Sequence, residues 1–194
     1  GLDTDTELKL LETARSLQGR HTVDVVSTFL GAHIVAPEYR EKREKYVERL
    51  CQEMIPAVAE AGLARFCDVF CEEGAFTVAE SRRILECGKS HGLAPKIHAE
   101  QLTRSGASML AAEIGAVSAD HLDFCEAEDA RALTERGVTP VLLPGATFFI
   151  GKKQYPDGRL FAQAGAETAI STDYNPGSSH TQNLWLMGTM ACCY

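Results

Sequence analysis

Pro95-Lys-Ile-His-Ala-Glu100, a helical stretch from Thr103 to Ile114, Val117-Ser-Ala-Asp-His-Leu122, a second helical stretch from Ala127 to Arg136, and Val138-Thr-Pro-Val-Leu-Leu143 follow one another without a linker. Short apolar runs alternate here with amphipathic stretches that stop at Gly115 and Gly137. Strands separated by helices of this length predict parallel pairing through right-handed crossovers. Two of the runs end on a histidine or just past one, His98 and His121, and a later run, Ala169-Ile-Ser-Thr-Asp173, ends on an acid.

Working outward, the same alternation covers the chain. Asp5 to Leu17 carries apolar residues at helical spacing, and Thr22 to Leu30, rich in Val and Thr, reads as a strand near Val25. Glu38 to Ala61 reads as one long helix closed by Gly62, with Pro56 placed to kink it. Phe66 to Cys71 is a strand. Thr77 to His91 is a helix with Thr77 as cap and Glu80 at the capping-box position. Residues 146–158 read as a loop, Arg159 to Ala164 as a short helix, and His180 to Cys193 as a buried helix in which Cys192 and Cys193 pack.

Six strands result, near Val25, Val69, Ile97, Val117, Val141 and Ile170. They fit an open doubly wound sheet or part of an eight-stranded barrel, and polar residues at nearly every strand end favour the barrel, whose active sites sit at that end. The fold class expected is α/β, a partial (β/α)8 barrel of about six parallel strands. A complete barrel takes about 250 residues. The 194 residues, which begin Gly1-Leu-Asp3 without Met and stop inside an apolar segment, therefore read as one incomplete domain, 1–194, cut at both ends.

Composition narrows the function. Hydrophobic residues make up 45% and the formal charge is −8, with no basic cluster interleaved with aromatics, which argues against nucleic acid and acidic membrane surfaces as partners. No apolar run reaches the roughly 18 residues of a membrane helix, and no secretion signal is evident. The seven cysteines lack metal-finger spacing and read as reduced, mostly buried thiols of a cytoplasmic protein.

His98, His121 and Asp173 carry the candidate chemistry. His98 and His121 fall on successive strands and Asp173 two strands on, where Asn175-Pro-Gly177 forms a tight turn. A divalent ion such as zinc takes imidazole nitrogens and carboxylate oxygens and leaves a position for water. A histidine off the metal can polarise a carbonyl, and a carboxylate can move a proton from water to a leaving nitrogen. His33 also ends a strand, with a surface role equally open. Glu72 and Glu73 end another, one of them inward. His21, His91 and His180 read as solvated.

Thr28-Phe-Leu-Gly-Ala-His33, Cys67-Asp-Val-Phe-Cys-Glu72, Lys96-Ile-His-Ala-Glu-Gln101, Ser118-Ala-Asp-His-Leu122, Leu143-Pro-Gly-Ala146 and Thr172-Asp-Tyr-Asn-Pro-Gly-Ser-Ser179 together resemble the imidazolonepropionases, amidohydrolase-superfamily enzymes of histidine degradation. The resemblance implies a distorted barrel with one zinc or iron ion that opens the ring of 4-imidazolone-5-propanoate to N-formimidoyl-L-glutamate. It implies His98 and Asp173 as metal ligands, with His121 and Asp173 catalytic. His33, Gln101, Asn175, Gly177 and Ser178 would contact substrate, and the full-length protein would be a homodimer. Two departures stand out. The family's His-x-His ligand pair occurs nowhere in this chain, so the chain alone is expected to be inactive. Position 101, a glutamate in some relatives, is Gln101 here and cannot exchange a proton near neutral pH. Two other readings stay open: another amidohydrolase acting on cyclic amidines or deaminating nucleobases, and a barrel-derived binding module with a vacant site.

Overall fold

Six strands, β1 (Thr28–Ala32), β2 (Phe66–Cys71), β3 (Ala94–Ala99), β4 (Ser118–His121), β5 (Thr139–Leu142) and β6 (Ala169–Ile170), follow chain order in one parallel sheet. The structure is a computed structural model describing residues 1–194. Thr28 pairs with Phe66, Ser118 with Thr139 and Val141 with Ala169, all in parallel register. Sequential parallel order is what repeated β/α crossovers produce. Pro140 is tolerated in β5 because β6 pairs only with Val141 and Leu142, so no ladder bond to β6 asks for its missing N–H.

The chain divides into two units, Gly1–Lys96 and Ile97–Tyr194, with the boundary inside β3. In the first, α1 (Thr4–Leu17) is capped by Asp3, whose carboxylate accepts the Thr6 N–H. Its buried Glu7 accepts the Leu30 N–H at 2.8 Å, anchoring the helix beside β1. Val25 lies before β1 rather than within a strand. Val25 and Val26 instead line a groove with Leu10, Leu11 and Leu30, so their β-branched side chains serve packing outside the ladder.

The long helix expected over 38–61 is four segments: a 3-10 turn (Pro37–Lys42), α2 (Arg43–Arg49), a π-turn (Leu50–Met54) and α3 (Ile55–Glu60). The π-turn follows from Pro56, which has no N–H to bond the carbonyl four residues back. The Ile55 N–H accordingly reaches Leu50 O, five residues back, and the helix continues with a π-bulge. Tyr46, fully buried, donates to Gly31 O at 2.9 Å and sits among Phe29, Leu50, Met54 and Phe76 in the core of this unit. After β2, α4 (Val78–Ser90) starts with the expected Thr77/Glu80 capping box. Gly88 lets α4 lie against β2: a Cβ there would come 2.7 Å from Cys67 Cβ.

The second unit runs from the end of β3 through α5 (Ala107–Ile114), β4, α6 (Ala127–Glu135), β5, α7 (Pro144–Phe149), α8 (Gly158–Ala164), β6 and α9 (Leu184–Cys193). Ile97, Leu110, Leu122, Leu133, Phe161 and Met187 form its core. Three expectations change here. The loop from 146 overlaps a helix, α7, because Pro144 occupies a first-turn position where its fixed φ favours helix. The helix expected from Thr103 begins only at Ala107. Finally, α9 is buried only at Met187 and Met190: Trp185 is 91% exposed, and Cys192 and Cys193 are exposed rather than packed. No helix is long and apolar enough to cross a membrane.

Candidate metal centre

The strand ends of the second unit converge on a group of polar side chains. Along β3 burial alternates, so His98 lies on the face opposite Ile97 and Ala99. On β4, Ser118 and Asp120 share a face, and Ser118 Oγ donates to Asp120 Oδ1 at 2.8 Å. A ring nitrogen of His98 and a carboxylate oxygen of Asp120 lie within 4.8 Å of each other. Regular alternation would put His121 on the far side of β4 from Asp120. His121 instead has φ +82° and Leu122 +68°, which ends the pleat, and the His121 ring lies 5.3 Å from that of His98 at 45°.

Asp173 joins the same group. It too is left-handed, with φ +48°, just beyond the short β6. Burial pushes its carboxyl above the ordinary range. The nearby His98 works against this, Asp120 adds to it, and hydrogen bonds from Asn175 and Ser178 draw it back down. One imidazole and one carboxylate thus meet, with a second imidazole alongside and the Asp173 carboxyl near enough to feel the charges of His98 and Asp120. That donor set suits a divalent cation, which would relieve the repulsion of two partly buried acids. Left-handed backbone in non-glycine residues is costly. All four such residues, Glu100, His121, Leu122 and Asp173, lie at this cluster or next to it in sequence.

The turn after Asp173 is built by Asn175. Its Oδ1 accepts from Gly177 N at 2.8 Å and Ser178 N at 2.7 Å, while Nδ2 donates to Asp173 O at 2.7 Å and Ser178 Oγ at 2.9 Å. The amide is consumed by its own loop. Gln101 is half-buried immediately after β3, next to Glu100. In the first unit, His33 is exposed past β1 with its ring stacked on Phe70 at 5.3 Å. Glu72 is the buried acid of its pair and Glu73 the exposed one.

Three acids stand out in the structure but not as site candidates in the sequence. Asp120 has a sequence signal only as the neighbour of His121, able to fix its tautomer. Asp68 is buried in the middle of β2, and an acid inside an apolar strand is itself the signal that marks it. Glu100 belongs to the motif around His98, and its full burial has no local signature.

No protein-family model matches the chain. Among curated proteins it is 51% identical over 194 residues to the imidazolonepropionase of Geobacillus thermodenitrificans, covering 100% of this chain and 46% of that protein. It is 51% identical over 192 residues to that of Shouchella clausii (99% and 43%), and 45% identical to that of Alkaliphilus metalliredigens (99% and 46%). Over its whole length the chain is similar to the imidazolonepropionases. It spans somewhat less than half the length of these relatives. Solved structures place the fold: a guanine deaminase from C. acetobutylicum has TM-score 0.71 at 13% identity, covering 98% of this chain and 48% of its own. An adenosine deaminase from Xanthomonas campestris, solved with bound zinc, has TM-score 0.57 at 16% identity, covering 78% and 37%. The six strands are therefore part of an amidohydrolase-type β/α barrel, as expected.

Proposed function

We propose that the protein to which this chain belongs hydrolyses the ring C–N bond of 4-imidazolone-5-propanoate, giving N-formimidoyl-L-glutamate. Whole-chain identity of 43–51% to imidazolonepropionases is the observation that carries this reading. His98 and Asp173 would hold a divalent ion, zinc or iron, and Asp120 stands close enough to share or orient it. When bound, such an ion supplies a Lewis acid and lowers the pKa of water toward about 7.

The chain's own residues do the rest. Asp173 takes a proton from the attacking water and returns it to the ring nitrogen that leaves as the C–N bond breaks. His121, beside His98, donates toward the carbonyl oxygen as it gains negative charge. Asn175 acts through the loop it folds, which presents Gly177 and Ser178 to the substrate. Gln101 contacts substrate by hydrogen bonding only. The setting is cytoplasmic and the assembled enzyme a homodimer.

The test assays protein of the relatives' full length for ring opening of 4-imidazolone-5-propanoate, and in parallel for ammonia release from guanine and adenosine. Ring opening abolished by a chelator and by His98→Ala supports the reading. Ammonia release without ring opening sinks it in favour of a deaminase.

A further inference from the structure

Glu100 follows His98 by two residues and is 0% exposed. A buried carboxylate persists only when its oxygens are satisfied. Here Oε2 accepts the Ser105 N–H at 2.6 Å, and Oε1 accepts those of Gly106 at 3.2 Å and Ser108 at 3.1 Å. These donors lead into and open α5, whose N-cap, Gly106, has no side chain to offer. A further first-turn donor, Ala107 N–H, goes to Ser105 Oγ at 3.3 Å. The cap of α5 is thus taken largely from the strand end that carries His98, with Ser105 Oγ adding one bond from the residues just before the helix.

The backbone of the same turn reaches β4. With φ +53° at Glu100, its carbonyl accepts the Phe124 N–H at 3.0 Å, and the preceding Ala99 carbonyl accepts the Leu122 N–H at 3.0 Å. Leu122 directly follows His121. One residue therefore locks three things: the end of β3, the start of α5 and the end of β4. A merely stabilising cap would need only the side-chain bonds. The backbone bonds add a constraint on where the two imidazoles stand.

We propose that Glu100 is a positioning residue that fixes His98 relative to His121, and so sets metal affinity and turnover. This rests on the metal-site reading above. Its test uses protein of the relatives' full length carrying Glu100→Gln, with Glu100→Asp and His98→Ala beside it. Zinc affinity is measured by competition with a chelator, and kcat and KM are measured separately. Thermal unfolding of the metal-free proteins confirms folding.

The expected result for folded Glu100→Gln is a 10- to 100-fold loss of zinc affinity. A lower kcat with KM within about twofold would accompany it, since the substrate loop is untouched. Glu100→Asp keeps the charge on a side chain one methylene shorter and serves as the deciding variant if Glu100→Gln does not fold. If His98→Ala loses zinc while a folded Glu100 variant binds it like the parent, the positioning role is overturned and the metal site stands. If His98→Ala itself retains parental affinity, the metal-site reading fails and takes this inference with it.

Discussion

His121 is where residue-scale conformation matters most, because its imidazole reaches the His98 side of the sheet only through a left-handed backbone angle. A histidine that steadies developing charge without holding the ion should separate catalysis from metal binding. His121→Ala is expected to lower kcat by about 10²- to 10³-fold, the usual loss of an oxyanion donor. Zinc content by elemental analysis should match the parent; loss of the metal along with activity would recast His121 as a ligand. Asn175 makes the opposite case, an amide spent on its own loop. Asn175→Ala removes its bonds to Asp173 O, Gly177 N and Ser178 and is expected to cost about 1–3 kcal/mol in urea unfolding. A neutral result would show that the turn holds Asp173 without it.

Elements whose signals are local are legible in the sequence, and those set by distant groups are not. The strand Phe66–Cys71 and the helix capped by Thr77 stand where pattern and capping chemistry put them. The β1 boundary differs from expectation because Val23, Val25 and Val26 have strand propensity but no ladder partner. Helix α5 is shorter than its pattern suggests because its cap comes from Glu100. The candidate site is half legible. His98, His121 and Asp173 announce themselves at strand ends, whereas Asp120 enters only through its distance to His98 and its effect on Asp173. The α4 cap supports a pH prediction. Burial works to raise the Glu80 carboxyl, but hydrogen bonds from Arg43 and Thr77 outweigh it and hold the group below its ordinary value. A depressed pKa means stabilisation that is complete above the unfolded-state value, near 4.3, and lost as pH falls through the folded one. Arg43 is partly exposed, so screening keeps the effect small. Glu80→Gln is expected to cost about 1 kcal/mol at pH 7 and progressively less toward pH 3. An equal cost at both pH values would assign the contribution to packing.

At the scale of the molecule, the donors the chain itself carries decide how well it can hold an ion. The relatives are more than twice as long, and the His-x-His pair implied by the resemblance is absent from the chain. Within the second unit, His98 and Asp120 stand within 4.8 Å of each other, and Asp173 would add a second carboxylate to their one nitrogen. Zinc favours several nitrogen or sulfur ligands, and each missing one weakens binding and widens the range of geometries the ion adopts. The 194-residue chain by itself is therefore expected to bind zinc more weakly than protein of the relatives' full length and to show no measurable ring opening. A second readout is Trp185, the single tryptophan, 91% exposed on α9 beside Leu184. In the chain alone its fluorescence should be quenched by iodide almost as freely as that of free indole. Parental turnover by the isolated chain with zinc present would show that its own donors suffice, and would remove the need for ligands from any other segment.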